Sequence, residues 1–156
     1  MSDSLKISQK LEGKNLHIDL EGVINEDSDF SKISIGEASH YFFDFEKIDG
    51  INSCGIRDWI NFLEKFPASC QITYQQCPQI IIEQINMVEG FIRQGVTVES
   101  FFAPYYIPSL DQEKAVLLRS QDIKNGKAPV IIDPDTNEEL EFDGIEEQYF
   151  YFLKHK

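Results

Sequence analysis

Apolar and polar positions alternate over Leu5–Leu11 and again over Leu16–Leu20, which is the period of a half-buried strand. Residues 12–15 form a turn between them, so the pair reads as a hairpin that ends at Glu21–Asn25. Residues 27–35 are short and polar with a few apolar anchors, which predicts a loop or one weak helix. Tyr41–Phe45 is aromatic and nearly continuously apolar, as a central strand is. Ile56, Trp59, Ile60 and Leu63 then fall at i, i+3, i+4 and i+7, one face of a helix spanning Cys54 to Phe66 that Pro67 ends. Ser69–Tyr74 reads as a short strand. Cys77-Pro78 opens a second helix with proline at its first position, and Ile81, Ile82, Ile85 and Val88 form its buried face. Gly90 and Gly95 mark its exit and a turn. Val96–Tyr106 is a strand that Pro104 should interrupt or place at a sheet edge.

The pattern changes after residue 105. Ala115–Leu118 suggests another strand, followed by a polar loop over Ser120–Ala128. Val130–Ile132 and Leu140–Phe142 form a hairpin about the turn Asp133–Asn137. A closing helix over residues 145–153 would bury Ile145, Tyr149, Phe152 and Leu153. Strands alternating with helices make the class α/β. The expected architecture is a mixed β-sheet with helices packed on one side over residues 1–105. A small hairpin and a terminal helix, residues 106–156, would pack on it.

Composition narrows the function. The 156 residues include 14 basic and 27 acidic side chains, a net charge of −13. That field repels phosphate backbones and argues against nucleic acid as a partner. No apolar run approaches the ~18 residues a membrane span needs. The first residues lack an apolar signal core, and Cys54, Cys70 and Cys77 are widely spaced. Reduced thiols and a cytoplasmic location are the expectation. His17, His40 and His155 are scattered, the first two read as buried and hydrogen-bonded, and no nucleophile, base and orienter come together. The chain is therefore expected to be non-enzymatic and to need no cofactor.

The densest chemistry lies at Asn52-Ser53-Cys54-Gly55, a small polar knot between the aromatic strand and the first helix. There, helix N–H groups point outward and accept an anion. Asn52 or Ser53 can simply cap the helix, worth about 1 kcal/mol. Alternatively, Ser53 can accept a phosphate. The cap is the favoured reading. Cys54 shares the helix start and reads as a small packed residue or a redox-sensitive thiol, the former favoured.

Two segments together carry a resemblance. Leu20-Glu-Gly-Val-Ile-Asn25 and Asn52-Ser53-Cys54-Gly55-Ile56 are similar to the two signatures of the STAS domain, the family of anti-sigma-factor antagonists and sulfate-transporter tails. The family carries acids where Asn25 and Asn52 stand. The resemblance implies a regulatory protein–protein interaction module, bound by a kinase or an anti-sigma factor, in a bacterial cytoplasm. It implies a recognition surface of Asn25, Asn52, Cys54, Gly55 and Arg57, with Ser53 as the phosphoacceptor candidate. Some family members bind nucleotides or lipids near this loop, so a small-molecule sensor is the alternative.

A second resemblance lies downstream. Tyr106–Leu110 and Asp133–Phe142 resemble the knuckles of a zinc ribbon, with Ile107, Leu110, Asp133 and Thr136 at the four ligand positions. None is cysteine, so the resemblance implies a ribbon-like hairpin without metal. Ile107 and Leu110 would supply buried apolar surface instead. Asp133-x-Asp-x-Asn137 lacks the glycine and glutamate of a calcium loop and reads as a turn held by local hydrogen bonds. Tyr149–Phe152 cannot all face inward on one helix, which hints at a partner or homodimer contact.

Overall fold

The computed structural model describes residues 4–155, the side chain of His155 excepted. It is an α/β structure with two sheets. Strands β1 (Lys6–Glu12), β2 (Asn15–Ile24), β3 (His40–Ile51), β4 (Gln71–Gln75) and β5 (Val96–Val98) lie side by side in that order. The β1–β2 hairpin is antiparallel, and β2, β3, β4 and β5 are parallel, so the sheet is mixed. Helices α1 (Ser53–Leu63) and α2 (Gln79–Met87) make two of the crossovers. Between β2 and β3 the chain spends a single 3-10 turn, Phe30–Lys32, with Asp29 accepting from the Ser31 amide as its cap.

Strand period sorts the side chains into two faces. Leu16, Ile18, Leu20, Tyr41, Phe43, Phe45, Ile72 and Tyr74 point into the core. Trp59 and Phe62 of α1, with Phe66 beyond it, meet them edge-on: Phe43 lies 5.1 Å from Trp59 and 6.2 Å from Phe66, centroid to centroid. Trp59 Nε1 donates to the Tyr74 hydroxyl at 2.9 Å, and that hydroxyl donates to the Phe91 carbonyl at 2.7 Å. Burial pushes the Tyr74 phenol far up, so it stays a neutral donor. The opposite face stays open. There His17 and His40 stack on either side of Phe42, and His40 Nε2 meets Thr73 Oγ1 at 2.7 Å. Both histidines are half-buried rather than core residues, because they project from the face that no helix covers.

The second sheet has the order β7–β6–β8, with β6 (Ser100–Ile107), β7 (Gln112–Arg119) and β8 (Glu141–Phe142) all antiparallel. The single strand expected over 96–106 is two strands, and the break falls at Glu99 rather than at Pro104. The Glu99 amide donates to the Tyr74 carbonyl in the first sheet, while its carbonyl accepts from the Ser120 amide, in the 3-10 turn Ser120–Asp122 that follows β7. Pro104 sits mid-strand in the central position. It opposes Ala115 on one side, and its carbonyl accepts from Asp143 on the other. In a strand the N–H and C=O of one residue point the same way, so the N–H that proline lacks would face β8, where pairing covers only two residues.

Two further expectations change. Proline is the N-cap of α2, not its first helical residue, because Pro78 keeps an extended ψ of 168°. The closing helix is two pieces, α3 (Glu146–Tyr149) and α4 (Tyr151–His155), broken at Phe150. The break turns Tyr149, Phe150 and Phe152 all inward and leaves Ile145, Tyr151 and Leu153 exposed. The Val130–Ile132/Leu140–Phe142 hairpin shrinks to one bridge, Ile132 to Glu139, since Glu141 and Phe142 pair with β6 instead. No helix among the described residues is long and apolar enough to cross a membrane.

Candidate functional site

The end of β2 and the start of α1 meet at the edge of the core. Gly22, with φ of 112°, sits beside a register irregularity in the β2–β3 ladder and bends the strand. The turn after it is self-braced. Asn25 Oδ1 accepts from the Asp27 amide at 2.9 Å, and the Asn25 amide donates to Ser28 Oγ at 2.9 Å. The Asn52 amide then donates to the Ile24 carbonyl at 3.1 Å, tying the helix start to this turn.

Asn52 is the N-cap of α1. Its Oδ1 accepts from the Gly55 amide at 2.8 Å, and its carbonyl accepts from the Ile56 amide at 2.9 Å. Ser53 is the first helical residue, exposed, and its hydroxyl makes no hydrogen bond among the described residues. Gly55 is buried against the chain it faces: a Cβ there would lie 2.3 Å from the Ile24 carbonyl oxygen. Only glycine lets β2 and α1 come this close. Cys54 is half-buried beside it, and Arg57 is exposed one turn along, 3.8 Å from Asp58. The structure thus brings Asn25, Asn52, Ser53, Cys54 and Gly55 to one junction, with Arg57 on the adjoining helix surface.

One residue of this junction was missed by the sequence reading. Asn52 Nδ2 donates to Glu26 Oε1 at 2.8 Å, and that bond holds the Glu26 carboxyl below its ordinary range. An aspartate at 52 could cap the helix equally well but could not donate to Glu26. The amide at 52 is therefore what places a neighbouring residue's carboxylate at the helix N-terminus, where the dipole favours it. The signal was weak, because Glu26 and Asn52 are distant in sequence and Glu26 looks like an ordinary turn acid.

The second cluster is also assembled. Asp133 is 1% exposed, yet its carboxylate is fully engaged. Oδ1 accepts from Lys114 Nζ at 2.6 Å, and Oδ2 accepts from both the amide and the hydroxyl of Thr136 at 2.9 Å. Those donors push the Asp133 carboxyl down to about 2, the lysine ammonium first among them. The Ser109 amide donates to Glu138 at 3.2 Å, so the 107–110 and 133–138 segments adjoin. Ile107 is buried as expected, whereas Leu110 is exposed at the tip of the β6–β7 turn. Among the described residues no group of three or more His, Cys, Asp or Glu side chains is placed to hold a metal ion.

Comparison with protein-family models finds no match for the chain, and comparison with curated proteins finds none either.

Proposed function

We propose that this protein is a non-enzymatic regulatory interaction module of the anti-sigma-factor-antagonist kind. It binds a regulatory protein, a kinase or an anti-sigma factor, through the junction of Asn25, Glu26, Asn52, Ser53 and Arg57. The observation that carries this reading is Ser53: an exposed, uncommitted hydroxyl at the first position of an eleven-residue helix, with capping left to its neighbour. A hydroxyl not needed for folding is free to be read or modified. A phosphate there would meet outward helix N–H groups, while adding negative charge beside Glu26 and deepening the negative field a docked partner meets.

The test is a capture from native-host lysate using the unmodified protein, Ser53→Asp and Arg57→Glu, each with a near-native thermal transition. The reading expects a protein partner retained by the first and lost by both variants. Intact mass of native protein, compared with Ser53→Ala, should show one phosphate that the variant lacks. Equal capture by all three proteins overturns the docking surface. A strong thermal shift with a nucleotide or lipid and no protein partner makes it a small-molecule sensor instead.

A further inference from the structure

Strand β7 presents an unused edge with a self-complementary sequence. It pairs only with β6, and the direction of its backbone groups follows from that ladder. Ser100 accepts from Cys77, Phe102 donates to Cys77, and Pro104 accepts from Asp143. Those even-numbered β6 residues therefore aim away from β7. Their partners in register, Arg119, Leu117, Ala115 and, opposite Tyr106, Glu113, aim their own N–H and C=O groups away from β6 in turn. All four are exposed, and none of their backbone groups pairs outside the β6–β7 ladder among the described residues.

The other edges are poor templates. β5 is three residues and β8 is two, and at the centre of β1 the Gln9 side chain is already bonded to the Lys32 carbonyl and the Ser34 amide. Short and covered edges resist pairing. β7 is eight residues long, and its centre, Ala115–Leu118, is free of charge, with Leu117 46% exposed.

We infer that β7 pairs antiparallel with β7 of a second copy of this chain, centred on Val116. Hydrogen-bonded positions must both aim outward, so only registers that join odd residue to odd residue are possible. Among these, centring on Val116 sets Glu113 opposite Arg119 of the second copy at both ends of the ladder. It also sets Ala115 opposite Leu117 on the same face, next to the half-buried Phe102. Neither Glu113 nor Arg119 has a salt bridge or side-chain hydrogen bond within its own chain among the described residues. A two-fold axis through Val116 satisfies every outward N–H and C=O of the four, and it joins the two three-stranded sheets into one. This inference stands apart from the reading of Ser53.

Sedimentation over a concentration series tests it. The unmodified protein should dimerise. Glu113→Arg or Arg119→Glu, each placing like charges opposite one another twice, should weaken the dimer about tenfold. The double variant E113R/R119E should restore it, since the exchanged pair is again opposite in sign. Ala115→Pro removes an outward N–H without touching the β6–β7 bonds, so it should give a monomer with unchanged circular dichroism. A protein that stays monomeric at every concentration overturns the inference. So does a dimer indifferent to Ala115→Pro, or one that the double variant fails to restore.

Discussion

Gly55 admits no side chain, and that single fact organises the junction. The β2 backbone at Ile24 occupies the space a Cβ would need. Gly55→Ala should therefore destabilise the fold by about 3 kcal/mol, because either the helix start or the strand end must shift and core packing shifts with it. Urea unfolding measures this; a loss below about 1 kcal/mol would mean the junction yields. Part of this was legible. The order strand, polar knot, helix was written in residues 41–63, and a cap at Asn52 or Ser53 was one of two readings. Which of the two caps was not legible, since both side chains bond backbone amides. Glu26 escaped notice for a different reason: its partner lies across a parallel crossover, and pairings of that kind leave no local pattern.

At the level of elements, the Lys114–Asp133 pair ties a strand of the second sheet to a turn outside it. It fastens β7 to the 133–136 turn. The sign of its pH dependence follows from the two shifts. Asp133 is held low when folded, so its contribution is complete above the ordinary carboxylate value of 3.8 and is lost as pH falls towards about 2. Lys114 is held high, so its contribution is complete at neutral pH and is lost only as pH rises through the raised ammonium value. Asp133→Asn should flatten the acid limb of a plot of urea midpoint against pH between about 4 and about 2. An unchanged limb would assign acid sensitivity to other carboxylates. The sequence marked 133–137 as a turn, and that holds, but the partner on β7 was invisible. Helices α1 and α2 and strands β1 to β4 were legible because each has a clear period or a continuous apolar run. The split of the closing helix at Phe150 was not, because four consecutive aromatics satisfy several helical faces at once.

For the molecule as a whole, the question is whether two sheets make one cooperative body. The buried residues form one continuous cluster from Leu16 to Phe152, and α2 contacts β6, α3 and α4 as well as β3. Asn86 on α2 donates to the Tyr149 carbonyl at 3.0 Å, and the Tyr149 hydroxyl donates to Phe102 at 2.6 Å. Calorimetry should therefore show a single transition with equal calorimetric and van't Hoff enthalpies; two resolved transitions would mean the sheets melt separately. This unity was the least legible feature. It draws on Cys77, just past β4, whose amide and carbonyl bond Ser100 and Phe102 of β6, a link that no composition or period records. The close approach at Gly55 acquires its meaning at this scale. A helix wedged against a strand at its first turn has little room to shift. On the proposed reading, a phosphate on Ser53 would change the field a visitor meets, and so how fast it arrives, rather than move the helix.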